Sequence, residues 1–141
     1  MRRPLKLLIA LGASAIVAAV AASLALAGSA GGAAQVKLAK TRLGTILVDS
    51  KGITLYDFVK DKGTTSVCYG ACAALWPPLL AKSKPTAGPG VRASLLGTTK
   101  RKDGKLQVTY NDMPLYFFIK DKAAGDVNGQ GAGNVWYVVA P

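Results

Sequence analysis

Two short aromatic–acid motifs are the part of the chain that could carry acid–base chemistry. The pattern Tyr-x-Phe-x-x-Asp occurs at Tyr56, Phe58 and Asp61 and again at Tyr116, Phe118 and Asp121. A tyrosine hydroxyl and a carboxylate could serve as a general acid and a general base. A structural role is favoured, because aromatic residues two apart share one face of a strand and the following Asp suits a strand-end turn. No catalytic residue is therefore predicted.

Cys68 and Cys72 are the only cysteines, four residues apart. In an exported protein such a pair predicts a structural disulfide. A redox-active pair is the alternative, although the spacing is not Cys-x-x-Cys. Attachment of haem would need a His after the second Cys, and Ala73 stands there.

The composition argues against ordinary hydrolytic and metal chemistry. The chain has no His, and all seven of its acidic residues are Asp. Histidine is the usual general base at neutral pH and the commonest metal ligand. Asp126 to Gly131 resembles the opening of a calcium loop, but Tyr137 occupies the position of the last acidic ligand, so a glycine-rich turn is favoured. No metal and no cofactor are predicted.

Basic residues dominate the charge, which is +11 over the whole chain. Four of them surround the turn at Asp103 and Gly104 and form a candidate anion-binding patch, namely Lys100, Arg101, Lys102 and Lys105. A patch of this kind would attract an anionic envelope polymer or an anionic lipid surface. The alternative is that the charge only maintains solubility. Nucleic acid is not an expected partner of an exported protein.

The N-terminal 30 residues have the three parts of a secretory signal peptide. Arg2, Arg3 and Lys6 precede an uncharged apolar stretch at 7–27, and small residues follow. Cleavage is expected between residues 27 and 34, which predicts a secreted or extracytoplasmic protein with peripheral or no membrane association. The alternative is an uncleaved anchor, because the stretch approaches the length that spans a bilayer. Residues 31–42 are predicted to be a linker.

The remaining sequence contains an internal repeat. A shift of 60 residues aligns 43–80 with 103–140 without a gap and gives ten identities in 38 positions. Gly44 meets Gly104, Val48 meets Val108, and Trp76 meets Trp136. Two repeat units in one domain, at 43–141, are therefore predicted.

Each repeat unit reads as a β-hairpin. Residues 45–49 and 53–59 have strand composition around a turn at 50–52, and 106–110 and 113–119 do so around Asn111 and Asp112. A last strand is expected at 135–139, and one helical turn is expected before Pro77 and Pro78. The fold class is therefore mainly β: two tandem β-hairpin repeats with a short helical turn near the cysteines.

These motifs resemble a bacterial family of secreted repeats of unknown function, which includes predicted lipoproteins with a Tyr-x-aromatic-x-x-Asp motif. The resemblance covers roughly residues 43–140 and includes the segments around Cys68 and Cys72, Trp76-Pro77-Pro78, and Gly129 to Gly131. It implies export but no established activity. This chain departs from the lipoprotein members because no Cys lies near the cleavage region.

The sequence therefore predicts an exported cell-envelope protein with a non-enzymatic binding or structural role. The alternative is an extracytoplasmic redox or electron-transfer accessory that uses Cys68, Cys72 and exposed aromatic residues.

Overall fold

The computed structural model describes residues 33–141, so the predicted signal peptide at 1–30 lies outside the described residues. Within 33–141 no helix is long and apolar enough to cross a membrane. The described chain is mainly β, as predicted. It has nine strands, β1 Gln35–Thr41, β2 Gly44–Asp49, β3 Tyr56–Phe58, β4 Leu80–Ala81, β5 Thr86–Ala87, β6 Leu96–Lys100, β7 Leu106–Tyr110, β8 Met113–Pro114 and β9 Trp136–Val138. One α-helix, α1, spans Ala71–Leu75, and 3-10 turns span Ala93–Leu95 and Ala132–Asn134.

The strands form three small sheets. Their orders are β2-β1-β5, β3-β9 and β4-β7-β6, and β8 pairs with β7. All strand pairs are antiparallel except β1 with β5. The β3–β9 pair joins the first repeat unit to the second, so the two units form one structure.

The predicted hairpin turns form because their residues suit the backbone. Asn111 and Asp112 have φ values of 50° and 62°, the left-handed pair that closes a two-residue hairpin. In the first unit Asp49 Oδ1 accepts hydrogen bonds from the backbone N–H groups of Lys51 and Ile53, at 2.9 Å each. The last strand and the helical turn before Pro77 are also confirmed.

The predicted linker at 31–42 is wrong over most of its length, because β1 occupies Gln35–Thr41. Its residues pair with β2 in six consecutive positions, from Val36 with Asp49 to Thr41 with Gly44. Val36 is fully buried in the core. The alternation of polar and apolar residues from Gln35 to Leu38 is a strand pattern, which the high lysine content of this segment obscured.

The repeat is not gapless in three dimensions. The Leu55 N–H bonds to the carbonyl oxygen of Leu47. The equivalent Leu115 N–H bonds to the carbonyl oxygen of Val108. Val108 therefore corresponds to Leu47 and not to Val48.

The offset arises from the lengths of two turns. The first hairpin turn of the first unit has two residues between Thr41 and Gly44, whereas that of the second unit has three residues between Arg101 and Lys105. The next hairpin turn is one residue shorter in the second unit, which restores the 60-residue shift. The pairings of Gly44 with Gly104 and Val48 with Val108 were therefore wrong.

Two cores lie on opposite sides of the motif strands. Leu55 and Leu115 are fully buried in an aliphatic cluster, which also contains Leu47 and Val108. The adjacent residues Tyr56 and Tyr116 are fully buried in an aromatic cluster. Successive side chains of a strand point to opposite faces, which accounts for this separation.

Candidate functional site

The two motif tyrosines meet at the centre of the molecule. The backbone N–H of Tyr56 bonds to the carbonyl oxygen of Tyr116 at 2.8 Å, and the reciprocal bond is 2.9 Å. The Tyr56 hydroxyl donates to Oδ2 of Asp121 at 2.6 Å, and the Tyr116 hydroxyl donates to Oδ2 of Asp61 at 2.6 Å. Each motif is thus completed by the acid of the other repeat unit.

Backbone groups also bond to the two motif carboxylates. Asp61 Oδ1 accepts from the Val67 N–H at 2.9 Å, and Asp121 Oδ1 accepts from the Asn128 N–H at 3.0 Å. Burial raises the pKa of Asp61, whereas its bonds to Tyr116 and Val67 and the nearby Arg101 charge act to lower it. Burial and then the hydrogen bond to Asp121 raise the pKa of Tyr56 well above its usual value. Burial and then the hydrogen bond to Asp61 raise the pKa of Tyr116 in the same way, so each tyrosine keeps its proton.

Four rings stack between the two units. Phe118 lies on Trp76 with centroids 4.2 Å apart, Trp76 lies on Trp136 at 4.0 Å, and Trp136 lies on Phe58 at 4.1 Å. The two Trp planes differ by only 1°. Both Trp side chains are about 95% buried, so the exposed aromatics expected for the redox alternative are not present at these positions. The rings come alternately from the two units and form one column, in which three rings are buried and Phe118 is partly buried.

Two residues that complete the tyrosine environments were not predicted from the sequence to do so. Ser66 Oγ lies 2.7 Å from the Tyr116 hydroxyl, and the Gly129 N–H donates to the Tyr56 hydroxyl at 3.1 Å. A Cβ on Gly129 would lie 2.7 Å from the Trp76 ring, so only glycine fits there. In the sequence Gly129 belongs to a segment that carries the family resemblance, but nothing there indicates its contact with Tyr56.

Arg101 does not belong to an exposed basic patch, because its side chain is almost fully buried. Its Nη1 donates to Gln107 Oε1 at 2.7 Å and to Ser66 Oγ at 3.1 Å, and its Nη2 donates to the Cys68 carbonyl oxygen at 2.8 Å. Its Nε lies 3.9 Å from an Asp103 oxygen, which makes a salt bridge without a hydrogen bond. The guanidinium links the core of the second unit to the cysteine loop of the first.

The predicted disulfide joins Cys68, in the loop that leads into α1, to Cys72 within α1. Cys68 is fully buried and packs in the aromatic cluster, whereas Cys72 is partly exposed. The guanidinium of Arg101 stacks 4.3 Å from the ring centroid of the adjacent Tyr69. The bridge thus fixes a loop that touches both the ring column and Arg101.

The acids are mostly engaged within the fold, whereas the basic residues are not. Among residues 33–141, the carboxylates of five of the seven Asp residues accept hydrogen bonds from backbone N–H or tyrosine hydroxyl groups; these are Asp49, Asp61, Asp103, Asp121 and Asp126. In the same range 13 of the 15 Lys and Arg residues are exposed, but only two Asp residues are. One salt bridge is present in this part of the chain. The described surface is therefore strongly positive.

Asp57 is an exception among the acids. It is partly buried in β3 and borders a cavity of about 310 Å³ together with Arg92 and Tyr110. Burial, and to a lesser degree the charge of Asp61, raises the pKa of Asp57 to about 6. Phe117 is the corresponding residue of the second unit and packs against the aliphatic core. The first unit thus has a carboxylate at the position where the second unit has an apolar ring.

No cluster of three or more potential metal ligands occurs among the described residues. The Asp126 carboxylate of the calcium-like segment accepts hydrogen bonds from the Lys122 and Ala123 N–H groups, at 2.8 and 3.0 Å. It therefore closes a local turn.

The reciprocal pairing of two equivalent motifs is accompanied by a family match in both halves of the chain. The model of the family described as secreted repeat of unknown function matches residues 37–80 and again 97–140. The chain belongs to this family of secreted repeats. The protein is accordingly extracytoplasmic, and each match covers one structural unit that includes the first hairpin strand. No curated protein and no solved structure matches the chain.

Proposed function

We propose that this secreted repeat is a non-enzymatic module that binds anionic material of the cell envelope through its positive surface. The excess of exposed cations over exposed acids carries the proposal, because the fold uses most of its carboxylates internally. The burial of both Tyr–Asp pairs supports a structural role for the motif. Neither hydroxyl is left open to a substrate.

The exposed lysines near the second hairpin are the proposed contact. Lys100, Lys102 and Lys105 are exposed, and Arg101 is excluded because its guanidinium is buried. Lys82 directly follows β4 and borders the same cavity as Lys105, which adds a further exposed cation. Each basic residue close to an anionic surface contributes about 1 kcal/mol, screened within about 8 Å at physiological salt.

Co-sedimentation with purified cell wall, at increasing salt, tests this proposal. The exported protein is compared with K100S/K102S/K105S and with K40S/R42S/K51S, a control that removes the same charge from the first hairpin. We expect salt-sensitive binding by the unaltered protein, a loss of about tenfold or more in the patch variant, and a smaller loss in the control. Absence of binding at low salt would show that the charge serves solubility only.

A redox role is the second candidate, and the contact of the Cys68–Cys72 disulfide with the ring column favours it. The partly exposed Cys72 would be the sulfur attacked by an incoming thiolate. Thiol titration after equilibration with glutathione buffers tests this role. Reduction at the glutathione poise with the fold retained would support it, whereas a bridge that resists reduction until the protein unfolds would exclude it.

A further inference from the structure

The two repeat units share surface residues that the fold does not require. The segments 59–62 and 119–122, here called the turn tips, present Lys60 and Lys62 in the first unit and Lys120 and Lys122 in the second. All four side chains are exposed, and within the described residues none takes part in the salt bridge. Packing explains why buried residues repeat, but it does not explain repeated exposed lysines.

Each turn tip also presents an exposed aliphatic side chain. Val59 is 51% exposed, and Ile119 is 47% exposed. The Ile119 N–H bonds to the carbonyl oxygen of Leu75, the last residue of α1, which is itself 49% exposed, so these two residues lie side by side. Val59 bonds in the same way to Val135. The same combination of an apolar residue and two lysines thus recurs at equivalent positions.

The turn tips are held firmly and have no exposed acid. In each, the Asp N–H bonds to the carbonyl oxygen of the motif Phe at 3.0 Å, which closes a tight turn. The side chains of Asp61 and Asp121 point inward to the tyrosines of the opposite units. Only apolar and positive side chains therefore face outward at 59–62 and 119–122.

We propose that the turn tips dock the protein on an anionic lipid bilayer. Lysine ammonium groups would contact lipid phosphates, and Val59 and Ile119 would contact the boundary between head groups and acyl chains. A bilayer is favoured over a hydrated polymer because only a bilayer removes the two aliphatic side chains from water. The inference rests on the proposed function, names an anionic bilayer as the partner, and adds the turn tips to the lysines near the second hairpin as contacts.

Vesicle binding tests the inference in the exported protein. Binding to phosphatidylglycerol–phosphatidylcholine vesicles is measured for the unaltered protein and for V59S/I119S, with L43S/V67S as the matched control because Leu43 and Val67 are also exposed. A second arm measures binding to immobilised, lipid-free polyphosphate. Thermal unfolding verifies that each variant is folded, and V59T/I119T replaces V59S/I119S if the latter is not.

The expected result is a loss of about tenfold in vesicle affinity for V59S/I119S, with unchanged binding to polyphosphate and little change in the control. K60S/K62S/K120S/K122S should weaken binding in both arms. Equal vesicle binding by V59S/I119S and L43S/V67S would overturn the inference, while retained polyphosphate binding would leave the proposed function standing. If the unaltered protein binds neither vesicles nor polyphosphate, both the inference and the proposed function are overturned.

Discussion

The Tyr-x-Phe-x-x-Asp motif acts as a structural bond between the repeat units. Tyr56 and Asp121 lie 65 residues apart in sequence, yet their side chains form a buried hydrogen bond of 2.6 Å. A hydrogen bond to a charged group contributes about 1.5–3 kcal/mol to stability, and a buried partner left alone costs more. The motif occurs twice because the Tyr of each repeat unit needs the Asp of the other as its partner.

A double-mutant cycle on Tyr56→Phe and Asp121→Asn tests this bond. Each single change should lower the free energy of unfolding by about 1–3 kcal/mol, and the double variant should lose less than the sum. Denaturant unfolding measures these values, and Tyr116→Phe with Asp61→Asn forms the matched cycle. Additive effects in both cycles would contradict a direct bond.

Asp57 gives a pH dependence of opposite sign to that of a salt-bridged acid. Its pKa is about 6 in the folded protein, above the unfolded value of 3.8, so its ionisation disfavours folding. Its effect is absent below about pH 4, and stability falls as pH rises from about 4 to about 6 and then levels off. Asp57→Asn should remove this decline and stabilise the protein at pH 7 by about 1–2 kcal/mol, allowing for partial exposure.

Unfolding in denaturant at pH 4 to 7 measures this effect, with Asp112→Asn as the exposed control. An unchanged pH dependence in Asp57→Asn would contradict the raised pKa.

At the scale of elements, the short helix α1 depends on contacts with its surroundings. The α1 helix has five residues and no buried member, so it is too short to be stable alone. The disulfide before it and the aromatic column beside it hold it in place. Arg101 adds a second link through the Cys68 carbonyl oxygen.

Replacing both cysteines in C68S/C72S should lower the free energy of unfolding by about 2 kcal/mol, the chain-entropy value for so short a loop. Native near-UV circular dichroism should persist, because the Trp rings are also held by each other. The thermal unfolding midpoint is the measurement, with the reduced unaltered protein as the control. An unchanged midpoint in both samples would show that the loop is fixed by Arg101 and packing alone.

At the scale of the molecule, the two units behave as an internal dimer. The ring column alternates between them, and each tyrosine bonds to the acid of the other unit. Neither unit can complete this core alone. The contacts are reciprocal, as they are in a two-fold symmetric dimer.

Two fragments cut in the exposed turn at Pro89 and Gly90 test this dependence. Residues 33–89 and 90–141 should each lack native near-UV circular dichroism and should recover it when mixed at a 1:1 ratio. The cut retains the pairing of β5 with β1. Native signal from either fragment alone would contradict the internal dimer.

Cleavage of the N-terminal segment should leave the contacts of β1 intact. The Thr86 N–H bonds to the carbonyl oxygen of Ala34 at 2.8 Å, so cleavage well beyond Ala34 would remove contacts of β1. Mass spectrometry of exported protein should find a first residue between Gly28 and Gln35. An intact Met1 in the membrane fraction would identify the apolar stretch as an anchor.

The sequence by itself determined the mainly β class, the duplication, the disulfide and the family, because these depend on local composition and on rare residues at a fixed spacing. Tertiary structure alone decided that Tyr56 bonds to Asp121 and not to Asp61, which is nearer in sequence. The reason is that Tyr56 pairs with Tyr116 of the other unit, and this pairing brings its hydroxyl to Asp121. Tertiary structure also decided that Arg101 is buried, since its neighbours Lys100, Lys102 and Lys105 are exposed and charge alone does not distinguish them. The offset at Leu47 and Val108 arises from two compensating turn lengths, which cancel in a linear alignment and appear only in the hydrogen bonds.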